Sequence, residues 1–203
     1  MSSDKKTDVE PSETVSKETG IDVGKETKPA PQKEAASLPE AKFEKSLADK
    51  IVSKFGSKAT IAFVRPNRIR VNTKKEDILD IASYIRDELK FDHAESVAGV
   101  DYPRTKEIEV VYHLGSYTEP QLAKQILSLA TRLPREDVPN PGNDRTRMSS
   151  LRDIFYSVEF HERECFEMLG VYFEGHPDNR RLLLPEDWAD IPPLRKDFKI
   201  KGR

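Results

Sequence analysis

Apolar residues recur along this chain with two alternating periods. Phe43, Leu47, Ile51 and Phe55 keep helical spacing and stop at Gly56, a residue type suited to a helix C-terminus. Just upstream, Ser37-Leu38-Pro39-Glu40 has the serine, the glutamate three later and the early proline of a helix start. The period then shortens to two. Residues 58–64 (KATIAFV) and 68–72 (RIRVN) read as strands joined by Pro66-Asn67. A second capping pattern, Thr73 to Glu76, precedes Ile78, Ile81, Ala82, Ile85 and Leu89 on one helical face. Strands follow near 94–101 and 106–114. In the second, Ile108, Val110, Tyr112 and Leu114 share one face, and Glu107, Glu109, Val111 and His113 the other.

Residues 118–133 fit two patterns. Thr118-Glu119-Pro120-Gln121 opens like a helix, and Leu122, Ile126, Leu129 and Leu133 keep its spacing; Leu127, Leu129 and Leu133 also fit a strand alternation with Thr131. Three prolines and a glycine make 134–148 a loop. Ser150 then stands where it would cap a helical segment with a break near Ser157. At ~100° per residue, Leu151, Ile154, Phe155, Val158, Glu162, Cys165 and Leu169 form one stripe, so Glu162 lies inside an apolar face. A buried carboxylate is costly unless paired and hydrogen-bonded. Arg163 points elsewhere, between Glu159 and Glu167, which suits surface pairing. The chain leaves the helix at Gly170 and turns at Gly175-His176-Pro177, and Arg180 or Arg181 is the expected cation for Glu162.

Composition divides the chain. Of 203 residues, 34% are charged and 36% hydrophobic, with a net charge of −2. Residues 1–37 contain no aromatic residue and are rich in Lys, Glu, Ser, Thr and Pro, the composition of a disordered tail without a secretory apolar core or an acid-poor presequence. One domain is expected over 38–183, followed by an extended segment over 184–203. The whole is predicted to be α+β: one two-layer domain whose mostly antiparallel or mixed four- to five-stranded sheet is packed by helices. No apolar run approaches the ~20 residues that span a bilayer, and the near-neutral charge gives no support to nucleic-acid binding.

The candidate chemistry is sparse. One cysteine, Cys165, cannot supply the roughly four ligands of an iron–sulfur cluster, and no dinucleotide or phosphate-loop motif is present. His161, Glu164 and Cys165 stand at i, i+3 and i+4, but their helical angles are spread too widely for a metal site. A free-standing metal-dependent hydrolase would have to use His161, Glu162, Glu164 and His176. Between Pro185 and Arg203, three prolines preclude regular structure, yet Trp188, Ile191, Leu194, Phe198 and Ile200 are spaced like anchors of a segment that wraps a surface.

The stretch Glu162–Leu183 (ERECFEMLGVYFEGHPDNRRLL) resembles the signature of the 30-kilodalton subunit family of respiratory complex I and related membrane-bound oxidoreductases. The match rests on Glu162, Arg163, Glu164, Glu167, Met168, Leu169, His176, Arg180, Leu182 and Leu183. Leu194-Arg195-Lys196-Asp197-Phe198 resembles the family's closing motif, and the likeness covers roughly residues 40–200. The resemblance implies a strand at 126–133 after a helical turn at 119–124. It also implies a non-catalytic scaffold in the peripheral arm, on the cytoplasmic face of a prokaryotic membrane. Its partners would be the large (49-kilodalton-type) quinone-site subunit, which the C-terminal segment would cross, and the small iron–sulfur subunit. This chain would hold no cofactor or metal of its own, while the complex would use iron–sulfur clusters and a quinone-type acceptor. NADH, ferredoxin, a deazaflavin and hydrogen all remain open as electron source, because nothing in these residues touches a donor.

Overall fold

The computed structural model describes residues 41–200, so the expected tail over 1–37 and the capping pattern Ser37–Glu40 lie outside the described residues. Helix α1 (Lys42–Phe55) buries Leu47, Ala48 and Ile51. It also buries Glu44, whose carboxylate accepts the Asn67 amide at 2.7 Å and the Gln125 side chain at 2.9 Å. An acid on the inner face of α1 is thus held by donors at two separate turns.

Strands β1 (Ala59–Arg65) and β2 (Arg68–Thr73) form an antiparallel hairpin with a register shift between Ile61 and Phe63. Helix α2 (Ile78–Asp87) follows. The Thr73–Glu76 capping expectation is corrected: Thr73 is still paired to Ala59 in the hairpin, and its hydroxyl donates to the Lys58 and Lys74 carbonyls. Ladder pairing holds Thr73 extended, and α2 starts after Asp77 with no side-chain cap. Strands β3 (His93–Tyr102), β4 (Glu107–Gly115) and β5 (Ile126–Pro134) complete a sheet of order β1-β2-β5-β4-β3. Only β2 and β5 run parallel. A single 3₁₀ turn at Pro120–Leu122 precedes β5, so the residues that fitted two patterns are helical first and strand after. The fold is the expected α+β arrangement, with a mixed five-stranded sheet.

The alternation predicted for β4 sets the layers. Ile108, Val110, Tyr112 and Leu114 are buried, and the registers place Leu127, Leu129, Leu133, Ile69 and Val71 beside them on one face. The helices bury Ile51, Ile78, Ile81, Ile85, Cys165 and Leu169 in the same core.

The segment before the signature is less regular than its stripe suggested. Residues 134–148 include a short strand, β6 (Arg147–Ser149), paired in parallel with β7 (Tyr172–Glu174). Phe155 is extended (φ −127°, ψ 101°), a 3₁₀ turn spans Tyr156–Val158, and helix α3 runs from Glu159 to Leu169. Gly170, at φ 81°, ends α3 in the left-handed conformation that glycine adopts without a Cβ clash. At Gly99 of β3, an added Cβ would lie 2.0 Å from Leu169 Cδ1. That close approach lets α3 lie directly on the sheet.

Candidate functional site

Glu162 is fully buried, as its place in the apolar stripe demands, but no arginine pairs with it. Its Oε1 accepts the Tyr112 hydroxyl at 2.8 Å and the Leu151 amide at 2.9 Å, and its Oε2 accepts the Ser150 hydroxyl at 2.5 Å. His176 Nε2 stands 4.0 Å away. The expected pairing with Arg180 or Arg181 is therefore corrected: three neutral donors hold the charge. Burial pushes the carboxyl above the usual range, and the bonds from Ser150, Leu151 and Tyr112 oppose that shift. Burial, followed by the charge of Glu162, raises the Tyr112 phenol well above its ordinary value.

His176 is not a cation partner either. Its Nδ1 accepts the Asp178 amide at 3.0 Å, and its Nε2 donates to the Glu159 carbonyl, also at 3.0 Å. One neutral tautomer satisfies both contacts. With both His176 nitrogens and both Glu162 oxygens engaged by protein groups, this pair presents nothing to a hydrolase substrate. Of the remaining members of that reading, His161 is half-buried and Glu164 exposed on a different side of α3. Cys165 lies in the core, its thiol pushed up to about 12 by burial and then by the charges of Glu164 and Glu162.

The other signature side chains act on backbone. Residues 175–200 form no helix or strand beyond isolated turns, so their amides and carbonyls need partners from elsewhere. Glu167, 5% exposed, accepts the consecutive amides of Leu182, Leu183 and Leu184 at 2.9–3.1 Å. Arg163 was expected to pair with acids along its own helix. It instead donates to the carbonyls of Arg180 and Arg181 at 3.0 and 2.9 Å, and lies 3.4 Å from Asp178. Arg181 donates to the carbonyls of Pro185, Glu186 and Trp188 at 2.7–2.9 Å. Arg180 bonds Asp178 through two nitrogens and stays largely in solvent. Its guanidinium, with the Arg180 amide, holds the Asp178 carboxyl well below the usual range. Gly175 (φ 81°) makes the turn and Pro177 is exposed beside it.

The closing motif is clamped in the same way. Arg195 is 3% exposed and donates to the Leu169 and Glu136 carbonyls at 2.8 and 2.5 Å. Burial, with the nearby charge of Arg135, pushes its guanidinium below the ordinary arginine range. The Lys196 amide donates to Asp101 at 2.8 Å, and Arg135 bridges Asp101 (2.6 Å) and Asp197 (2.7 Å). Phe198 lies against Trp188, with ring centroids 6.0 Å apart. Sequence reasoning missed Tyr112, Asp101 and Arg135. Tyr112 carried a usable signal, because a tyrosine on the apolar face of a strand needs a hydrogen-bond partner in the core.

Comparisons with known proteins agree with this picture. A family profile described as "Respiratory-chain NADH dehydrogenase, 30 Kd subunit" matches residues 71–203. The chain is 34% identical over 156 residues to the C subunit of the F(420)H(2) dehydrogenase of Methanosarcina mazei, covering 76% of this chain and 91% of that protein. It is 39% identical over 135 residues to the C subunit of the NADH-quinone oxidoreductase of Roseiflexus sp., covering 65% and 70%. Among solved structures, a chain of the membrane-bound sulfane sulfur reductase, an archaeal respiratory membrane complex, superposes with a TM-score of 0.63 at 26% identity, covering 77% of this chain and 86% of that one. The trypsin-resistant fragment of Nqo5 shares the fold at a TM-score of 0.52 and 23% identity, over 66% of this chain and 97% of the fragment.

Proposed function

The chain belongs to the family of the respiratory-chain NADH dehydrogenase 30-kilodalton subunit, and from that premise we propose that it is a non-catalytic scaffold within a complex I-like, quinone-reducing oxidoreductase. The observation that supports this reading is the use made of its charged signature residues. Glu167, Arg163, Arg181 and Arg195 are hydrogen-bonded to main-chain groups of irregular segments, and Glu162 to buried donors of its own domain. Such side chains fix a surface; they do not handle electrons or substrate. The partners are the large quinone-site subunit and the small iron–sulfur subunit, and the iron–sulfur clusters and quinone belong to those chains.

Among the described residues no helix is long and apolar enough to cross a membrane. In this reading the protein is held at the cytoplasmic face through its partners. Relatives named for F(420)H(2) and for NADH share this kind of subunit, which fits a protein whose role is independent of the donor. The test is purification of the tagged full-length chain from the membranes of its own host. The scaffold reading expects co-elution with iron–sulfur subunits and with quinone reductase activity. A chain that runs alone, with no such activity beside it, refutes it.

A further inference from the structure

We draw no further inference here: the strongest candidate, the surface patch carrying exposed Phe160 on α3 and exposed Leu182 and Leu183 on the segment that Arg163 and Glu167 clamp to that helix, has nothing in the structure to show what covers it.

Discussion

Replacing Glu162 by alanine would remove the one acceptor that serves three buried donors. The Tyr112 hydroxyl, the Ser150 hydroxyl and the Leu151 amide would lose their partner together. Each orphaned donor costs about 1–3 kcal/mol, and water entering the vacated space offsets part of the sum, so we expect a loss of about 3–5 kcal/mol. At roughly 2–4 °C per kcal/mol for a domain of this size, Tm falls by about 6–20 °C. Glu162→Gln keeps a carbonyl for Tyr112 and Leu151 and lets Ser150 turn to accept, so its cost should be about 1 kcal/mol. The pH dependence supplies a second check. The folded carboxyl sits above the usual range, so between the ordinary and the raised value the native state binds a proton that the unfolded chain has released. The stability contributed by this group therefore declines as pH rises through that window. Chemical denaturation at pH 5 and pH 7 should find the wild type gaining on Glu162→Gln at the lower pH. An alanine variant that loses less than about 1 kcal/mol, or a pH slope of opposite sign, would refute this account of the cluster.

Other outcomes follow from the same contacts. Glu167→Ala frees the amides of Leu182 to Leu184, and limited trypsin digestion after Arg180 and Arg181 should accelerate about tenfold, as expected of a segment whose local opening free energy drops; an unchanged rate counts against the clamp. Cys165, its thiol pushed up to about 12, should react with iodoacetamide at pH 8 only as fast as the domain opens. Labelling in native buffer at the rate of a free thiol would show that the core assignment is wrong. Gly99→Ala places a methyl against Leu169 and should destabilise by about 1–3 kcal/mol through overpacking; an unaltered denaturation midpoint would mean that α3 sits farther from β3.

Local periodicity made most of the sheet legible. RIRVN and IEVVYHL carry apolar residues at alternate positions because one face of the sheet packs against the helices, whereas ILSLATRL fits helical spacing as well, and its strand is implied by the family resemblance. The helical break before Glu159 was harder to see, since Leu151, Ile154, Phe155 and Val158 keep helical spacing even though Phe155 is extended. Their burial comes from tertiary packing, which spacing cannot distinguish from a continuous helix. For the site, the burial of Glu162 could be read from its apolar neighbours, but its partners could not. Tyr112 is 50 residues away in sequence. Opposite charge made Arg180 and Arg181 the natural candidates, yet their guanidiniums serve Asp178 and main-chain carbonyls. The closing motif shows the same gap: nothing local to Arg195 reveals that Leu169 and Glu136 would leave carbonyls in need of a donor.

The pairing of β2 with β5, the one parallel seam of the five-stranded sheet, bears on how the chain finds its fold. Arg68 is registered against Ile126, so closing this seam must bring together segments separated by α2 and the whole β3–β4 hairpin. The hairpins β1–β2 and β3–β4 need only short loops, and β5 adds to β4 through a connection of modest length, so each side can form with little loss of chain entropy. The seam is then the late, rate-setting event, and it is a natural line along which the domain first parts when strained.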